Sequence, residues 1–372
     1  MEALYANLLN ITWQHVVMWA IGGILIYLAI KKDMEPTLLL PLGFGTILVN
    51  IPFSGAVTQG EEVGALSTLF EMGIRNELFP LILFIGIGAM IDFGPVLSNP
   101  KLMIFGGAAQ FGIFFTLCVA AMFFAPNDAA SIAIIGAADG PTSIVVAQKL
   151  NSQYLPAIMV AAYSYMALVP IIQPPVIRAC TTRAERKIRM VYQGKPVAKP
   201  VRILFPILVT VIVGLLAPEG TALIGFLMFG NLIRECGVLN SLWETAQNVL
   251  ANLVTILLGI CIAARMTAAE FLRPRTALVL ALGLAAFVMD TVGGILLAKA
   301  LNLFCREKIN PMIGAAGISA FPMSARVVHK LGLQEDNQNF LLMHAAGVNV
   351  SGQIASVVAG SLLLALVRRG GV

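Results

Sequence analysis

Long apolar stretches recur along this chain and are separated by short polar segments. Most run for roughly 17 to 25 residues, the length at which an α-helix crosses the apolar layer of a bilayer. Ten of them fit a full span, near residues 14–30, 36–52, 78–98, 102–125, 154–177, 203–217, 220–238, 246–264, 275–301 and 338–367. Two further stretches, 129–149 and 309–329, contain glycine, proline and polar side chains, which indicates interrupted or re-entrant segments. We therefore predict an all-α polytopic membrane protein with about 10–12 membrane segments.

The two halves of the chain resemble each other. Residues 313–316 repeat the Ile-Gly-Ala-Ala sequence of residues 135–138, and residues 256–260 echo residues 83–87 at nearly the same separation. Weak internal similarity of this kind is typical of two-repeat transporters, although chance similarity among Gly, Ala and Ile is the alternative. We expect a first membrane repeat at 1–177, a basic loop at 178–202 and a second membrane repeat at 203–372.

The loop at 178–202 predicts the orientation of the chain. It contains eight Lys or Arg residues and a single acid, Glu185, so the positive-inside rule places it in the cytoplasm. Topology anchoring and docking of a soluble partner both explain its charge. If residues 129–149 dip into the membrane and return, an N-terminus on the outside puts Lys31, Lys32 and the loop on the same cytoplasmic side. That arrangement inverts the second repeat relative to the first.

Composition narrows the function classes. The chain is 58% hydrophobic and 12% charged, and its net charge is +5. The basic residues stand at helix ends and in one loop rather than on a face interleaved with aromatics, so we expect no nucleic-acid partner. The five cysteines form no Cys-x-x-Cys pair and are predicted to be free thiols.

The first interrupted segment carries a carboxylate at a helix break. Residues 136–143 read Gly-Ala-Ala-Asp-Gly-Pro-Thr-Ser, so Asp139 stands beside a Gly-Pro pair in an apolar run. An unpaired intramembrane acid is costly and therefore indicates a functional site. Freed backbone carbonyls and a carboxylate are hard oxygen ligands for a small cation. The alternative is that Asp139 only caps the helix that follows.

The second interrupted segment offers neutral ligands. It runs from Asn310-Pro311 through Ser319 to Arg326. Asn310 and Ser319 suit a monovalent cation that needs one negative charge and several dipoles. Each also has a simpler explanation, since Asn310 can cap a helix and Ser319 can bond to its own backbone. Arg326 fits either an interfacial anchor or a group of the site.

Three further membrane positions carry polar chemistry. Asn349 lies among small residues in the last span, which suits either helix packing or an ion path. Tyr165 needs a partner for its hydroxyl, as a proton donor or as a simple bond to a carbonyl. Asp290, deep in the span 275–301, is a further candidate for an ion path.

These motifs resemble the membrane (beta) subunit of the sodium-pumping biotin-dependent decarboxylases of oxaloacetate, methylmalonyl-CoA and glutaconyl-CoA. The resemblance runs over residues 14–368 and rests on four segments: 135–143, the Gln173-Pro-Pro break ahead of 181–190, 310–319, and the stretch around Asn349. It implies that a carboxyltransferase alpha subunit moves a carboxyl group to biotin on a separate biotin-carrier subunit. The beta subunit then decarboxylates carboxybiotin, exports sodium and consumes a proton.

The resemblance also implies partners, a location and residue roles. The expected partners are the alpha subunit, the biotin carrier and a small single-span subunit in the bacterial cytoplasmic membrane, with a homo-oligomer of beta subunits left open. Matched by position, the functional groups of the family fall on Asp139, Tyr165, Asn310, Gly314, Ser319, Arg326 and Asn349. Sodium is then expected on Asp139, Asn310, Ser319 and Asn349. Arg326 faces carboxybiotin, and Gly314 is structural.

A mechanism follows from these roles as a hypothesis. One carboxylate cannot hold a proton and sodium at the same time. Mutually exclusive binding of the two at Asp139 would therefore couple proton uptake to sodium release. A proton displacing sodium would reach carboxybiotin through Tyr165 or Ser319, and an elevator-type motion is expected. The main alternative is a sodium-coupled organic-anion symporter that acts alone, and a channel or structural scaffold is the third class.

Overall fold

The computed structural model describes residues 8–32, 36–60, 62–192, 194 and 196–369. The start of the first predicted repeat (residues 1–7), the end of the second (residues 370–372), and positions 33–35, 61, 193 and 195 lie outside the described residues. Within the described residues the fold is helical, with one isolated β-bridge between Gln59 and Glu62. The principal helices are α1 (Trp13–Lys32), α2 (Pro36–Val49), α3 (Ala65–Gly73), α4 (Leu78–Met90), α5 (Met103–Ala108), α6 (Phe111–Ala120), α7 (Pro126–Ala133), α8 (Gly140–Lys149), α9 (Leu155–Cys180), α10 (Lys199–Leu216), α11 (Thr221–Cys236), α12 (Ala251–Ala263), α13 (Pro274–Phe304), α14 (Met323–Glu335) and α15 (Leu342–Arg369).

Long apolar helices confirm a multi-pass membrane protein. Among the described residues, seven helical segments are long and apolar enough to cross a membrane, or eight if α3 and α4, bent by 64°, form one span. Two of the seven are continuous segments that contain shorter helices defined above: Pro100–Ala120 contains α5 and α6, and Asn240–Ala263 contains α12. This total is lower than the ten spans expected, because two of the predicted segments form shorter helices. The helix α2 has 14 residues and α11 has 16. Both pack closely against neighbours through glycine, α2 through Gly43 against Gly22 and α11 through Gly230 against the carbonyl of Ile85.

The basic loop marks one face of the helix bundle, here called the loop face. Its arginines reach the end of α14, where Arg186 contacts Glu335 at 2.8 Å and Arg189 contacts Asp336 at 2.6 Å. At the end of α4, Arg234 donates to the Met90 carbonyl at 2.8 Å. The ends of α9, α11 and α13 and the starts of α10 and α15 lie at this face as well.

The other ends of the helices meet at the opposite face. Glu219, between α10 and α11, accepts a hydrogen bond from Lys149 at its carbonyl and pairs with Arg368 at 2.9 Å. Asn50, after α2, donates to the Met266 carbonyl beyond α12 at 2.7 Å. Because α2 ends here and packs antiparallel to α1, Lys31 and Lys32 at the end of α1 lie at the loop face.

Two hairpins enter the bundle from these two faces. The first hairpin (residues 126–149) comprises α7, a 3-10 turn at Ile134–Ala137 and α8, and both its ends lie at the opposite face. The second hairpin (residues 311–335) comprises a 3-10 turn at Pro311–Gly317 and α14, and its ends lie at the loop face. Both copies of the repeated Ile-Gly-Ala-Ala sequence therefore form tight 3-10 turns, as expected where glycine and proline interrupt a helix.

Small residues set the packing around the second hairpin. Gly314 lies directly against Gly294 of α13, and a methyl group on either would overlap the carbonyl of the other. Gly352 of α15 lies in the same way against the Gly317 carbonyl. Backbones approach this closely in membranes only where side chains are small. By contrast, Pro206 and Val213 are the only two buried residues of the 18 described in α10, so this helix lies at the periphery.

Candidate ion site between two interrupted segments

The tips of the two hairpins meet inside the bundle. The backbone N–H of Ser319, just past the second 3-10 turn, donates to the carbonyl of Ala137 at 2.9 Å. Ala138 adopts a left-handed conformation with φ of 51° and turns the chain into α8. The two interrupted segments are therefore in direct contact. Ser319 bonds to Ala137, which precedes Asp139 by two residues in the chain.

Asp139 is buried and both of its oxygens are occupied. As the N-cap of α8, it accepts from the Thr142 backbone N–H at 3.3 Å and from the Thr142 hydroxyl at 2.7 Å. A third bond comes from another helix, where the Ser356 hydroxyl of α15 donates to Asp139 Oδ2 at 2.9 Å. Asp139 therefore forms the predicted cap while its carboxylate is buried inside the bundle. A carboxylate held by two hydroxyls is a ready place for a small cation.

One face of α15 joins both hairpin tips. Asn349 donates to the Ile318 carbonyl at 2.6 Å, and the Gln353 side chain donates to the Ser319 carbonyl. Ser356, one turn further, reaches Asp139. Residues 349, 353 and 356 follow the helical repeat, so they line up on one side of the helix. The last span therefore carries a polar stripe aimed at the meeting point of the tips.

Unused oxygen atoms collect at this meeting point. Asn349 Oδ1 is buried and has no hydrogen-bond partner among the described residues. The Ser319 hydroxyl donates to the Gly352 carbonyl at 2.9 Å and keeps its lone pairs free. One carboxylate with neutral hydroxyl and amide oxygens suits a monovalent cation. The described residues contain no cluster of three or more His, Cys, Asp or Glu side chains, the donor set of a transition-metal site.

Asn310 lies elsewhere, at the loop-face mouth of the second hairpin. Its Oδ1 accepts from the Met312 N–H at 3.0 Å, which is the capping geometry left open by the sequence. Its Nδ2 donates to the carbonyls of Arg186 at 3.0 Å and Ile188 at 2.8 Å. The structure therefore does not bring Asn310 together with Asp139, and its side chain holds the basic loop instead.

The basic loop is clamped over the second hairpin by charge. Hydrogen bonding to Arg186 lowers the pKa of Glu335, and hydrogen bonding to Arg189 lowers the pKa of Asp336. Asn339, four positions beyond Glu335, also donates to the Arg186 carbonyl at 2.9 Å. The loop is thus folded onto both ends of the hairpin rather than extended into solvent.

Arg326 and Gly314 occupy different environments in the second hairpin. Arg326 is exposed in the first turn of α14, at the tip end, and forms no ion pair among the described residues. Since α14 rises 1.5 Å per residue, it lies about 13 Å deeper than Glu335. Gly314 packs against Gly294, as expected for a structural glycine.

The two tyrosines of α9 have opposite surroundings. The Tyr165 hydroxyl donates to the Leu280 carbonyl at 2.6 Å, the simpler of its two predicted roles. The Tyr163 ring lies against Gly140, next to Asp139, and its buried hydroxyl has no partner among the described residues. By position, Tyr163 is the tyrosine closer to the first hairpin tip.

Two residues of the site are not among the sequence candidates. Gln173 is predicted only as part of a proline break, yet it donates to the Ala315 carbonyl at 2.7 Å and accepts from Ser324 at 2.9 Å. Ser356 extends the stripe of Asn349 and Gln353, two polar residues that the sequence already places among small residues in the last span. The signal that could have revealed Ser356 is the spacing of polar residues at i, i+4 and i+7 in an otherwise apolar helix.

A separate cavity of about 1170 Å³ opens on the opposite face. It lies between the start of α9 and the starts of α4 and α13, and none of the candidate site residues lines it. Arginines dominate its charge, namely Arg75, Arg265, Arg273 and Arg275. It is therefore distinct from the meeting point of the hairpin tips.

Comparison with known proteins decides between the function classes. The family of the Na+-transporting oxaloacetate decarboxylase beta subunit matches residues 14–367. The chain belongs to this family. Its relatives include the methylmalonyl-CoA decarboxylase subunit beta of Propionigenium modestum, 46% identical over 94% of each chain. The glutaconyl-CoA decarboxylase subunit beta of Acidaminococcus fermentans is 47% identical over 96% of this chain and 94% of its own.

The family membership confirms the main function predicted from sequence. The oxaloacetate decarboxylase beta chain of Klebsiella pneumoniae is 43% identical over 98% of this chain and 99% of its own. These relatives are decarboxylase subunits, so the comparisons support a sodium-transporting decarboxylase subunit and give no support to a symporter. As a beta subunit in such a family, the chain is a multi-pass membrane component of a larger enzyme.

Proposed function

We propose that this beta subunit decarboxylates carboxybiotin presented by a partner at the loop face and couples that reaction to sodium export. The observation that carries the proposal is the buried contact of the two hairpin tips beside Asp139, with one hairpin entering from each face. An ion held there is reachable from either side by a small displacement of one hairpin. The family membership supplies the reaction class.

The sodium ligands follow from the geometry at the tips. We propose Asp139 as the charged ligand, with Ser319 and Asn349 supplying neutral oxygens. The described contacts favour these three because each is tied to α15. Asp139 accepts from Ser356, Ser319 donates to the Gly352 carbonyl, and Asn349 belongs to this helix and donates to the Ile318 carbonyl. Asn310 is better explained as the residue that fastens the basic loop to the hairpin mouth.

Arg326 is proposed to meet carboxybiotin. The Arg326 guanidinium is exposed on the second hairpin and pairs with no acidic side chain among the described residues, so it matches the negative carboxyl group of that cofactor. Decarboxylation breaks the bond between the ring nitrogen and the carboxyl carbon, and the consumed proton ends on that nitrogen. Ser319, in the hairpin that bears Arg326, is the group of the site best placed to pass a proton toward the loop face.

Coupling rests on the single carboxylate. Asp139 holds either a proton or sodium, because its oxygens cannot serve both. Tyr165 enters this scheme only indirectly, since its hydroxyl is engaged with the Leu280 carbonyl. We therefore propose that Tyr165 supports α13 behind the first hairpin, and that exclusion at Asp139 links proton uptake to sodium release.

The larger assembly follows the family. We propose a carboxyltransferase alpha subunit, a biotin carrier and a small single-span subunit as partners, in the bacterial cytoplasmic membrane with the loop face inside. Hairpins that open to opposite faces support two inverted repeats. We also propose an elevator-type displacement of the second hairpin, which has its own buried cluster, against the cluster formed by α1, α2 and α12 with parts of α8 and α9.

The substitution Asp139→Asn tests the assignment. Asparagine caps helices as well as aspartate, so the folded protein should keep its thermal stability. Sodium-dependent decarboxylation of carboxybiotin should fall by at least about tenfold, equivalent to about 1.4 kcal/mol. Sodium-coupled decarboxylation at the wild-type rate in Asp139→Asn would remove Asp139 from the mechanism.

A further inference from the structure

A second carboxyl lies buried in the membrane part of the fold and has no role in the scheme above. Asp290 stands near the middle of α13 with no exposed surface. Its Oδ1 accepts from the backbone N–H of Ile113 at 3.1 Å, at the start of α6. That N–H also donates to the Gln110 carbonyl at 3.2 Å, in the break between the end of α5 at Ala108 and the start of α6 at Phe111. One oxygen of Asp290 thus caps a broken helix from outside.

The other oxygen, Oδ2, is orphaned. It is buried and has no hydrogen-bond partner among the described residues. It faces Gly136 in the 3-10 turn of the first hairpin, where an added methyl group would lie 2.7 Å from Oδ2 and 2.8 Å from the Ala286 side chain. Only a glycine allows the hairpin to rest so close to this carboxyl.

Among the residues that the structure describes, no oppositely charged group contacts Asp290. Its described contacts are with backbone and apolar groups of α6, α13 and the first hairpin. Titratable groups do lie on the elements packed around Asp290, but none of those described bonds to it. The nearer elements carry Asp139 beyond Gly136, Asp128, Cys118, Tyr163 and Tyr165. Toward the helix ends lie Lys101, Arg178, Cys180, Arg275 and Lys299. An ionised, unpaired carboxylate is strongly disfavoured in such a place.

A proton satisfies this site where a metal ion does not. A cation needs several oxygen ligands, whereas the first-hairpin residue that Oδ2 faces is Gly136, which has no side chain to offer one. A proton needs only the one free oxygen. We propose that Asp290 is a second proton-binding carboxyl of this protein, and that its neutral form holds the first hairpin against α13. Loss of that proton would separate Gly136 from α13 to let water reach the carboxylate.

Infrared spectroscopy of the purified chain in lipid tests the protonation directly. The carboxylic-acid C=O band of Asp290 should persist in Asp139→Asn, should not change when sodium is added, and should be lost in Asp290→Asn. The matched control is Asp128→Asn, because Asp128 already accepts three hydrogen bonds, from Ser152 and Gln153, and should contribute no such band. A full band in Asp290→Asn, or its removal by sodium in Asp139→Asn, would overturn the proposal.

Hydrogen exchange tests whether Asp290 holds the first hairpin against α13. Asparagine keeps the shape of the neutral acid, so Asp290→Asn should fold and should behave as permanently protonated. Exchange in residues 132–140, measured relative to residues 311–320 of the same sample, should rise with pH in the wild type and stay flat in Asp290→Asn. The same rise in both proteins would show that Asp290 does not hold the hairpin. Neither measurement requires pumping activity, so the proposed function stands or falls separately.

Discussion

At the scale of single residues, Asp139 forms the helix cap that was one of its two predicted roles, and its role in an ion site stays a proposal. It caps α8 through Thr142 and also accepts a hydrogen bond from the Ser356 hydroxyl of a distant helix. The cap was predictable, because the carboxylate precedes Gly-Pro at a helix start. The bond from Ser356 was not, because it joins residues 217 positions apart in the chain.

Removal of the Ser356 hydroxyl should weaken sodium binding. In Ser356→Ala, Asp139 loses one donor that fixes its orientation, so the half-saturating sodium concentration should rise about fivefold, equivalent to about 1 kcal/mol. The control is Ser361→Ala on the same helix, whose hydroxyl donates to the Val357 carbonyl one turn back and to no other group in the described part of the chain. Sodium titration of decarboxylation rate measures both. Equal effects of the two substitutions would contradict a specific role for Ser356.

At the scale of elements, the sequence predicted the interrupted segments well and their contacts poorly. Glycine, proline and a carboxylate in an apolar run marked both hairpins. The side-chain partners depend on tertiary packing, however. Asn310 binds loop carbonyls that no local pattern connects to it, and Gln173 reaches Ala315 across 142 positions. A polar residue in an apolar run can thus be located from sequence, but its partner cannot.

The glycine contact between the second hairpin and α13 should not tolerate a methyl group. Gly314→Ala places a Cβ on the carbonyl of Gly294, so we expect a loss of about 1–3 kcal/mol of stability, typical of overpacking, together with lower activity. Gly107→Ala is the control, because an added Cβ there meets nothing within 4 Å. Thermal unfolding in detergent compares the two. A Gly314→Ala protein as stable as Gly107→Ala would contradict the close packing.

The clamp on the basic loop should open in acid. Arg186 and Arg189 lower the pKa values of Glu335 and Asp336 below their ordinary 4.5 and 3.8. A lowered pKa means that the stabilisation is complete above the ordinary value and is lost as the pH falls through the lowered one. Cleavage of residues 181–190 by an acid-active protease should therefore accelerate between about pH 5 and about pH 2.

A pair of arginine variants separates this clamp from general acid unfolding. Arg186→Gln should expose the loop already at mild pH, because it removes the 2.8 Å contact to Glu335. Arg183→Gln should leave the loop covered, because the Arg183 side chain is 77% exposed and comes no closer to Glu335 than 3.6 Å, which makes a weak ion pair. Identical cleavage of both variants across the pH range would contradict the clamp.

At the scale of the whole molecule, composition and span length predicted the class, and the family comparison confirmed it. The number of long helices was overestimated because apolar runs such as 36–52 contain helices shorter than a span. The common side of Lys31, Lys32 and the basic loop follows from helix order and agrees with the expectation drawn from charge. The inverted relation of the two halves stays a prediction.

The most direct test of the central claim uses the purified chain in liposomes without its partners. Free carboxybiotin is added at the loop face, and its decarboxylation is measured with and without sodium beside uptake of radioactive sodium. The proposed mechanism predicts that decarboxylation depends on sodium and moves it across the membrane, with both lost in Asp139→Asn. Sodium movement driven only by an added organic anion, without decarboxylation, would contradict it and would make the protein a symporter.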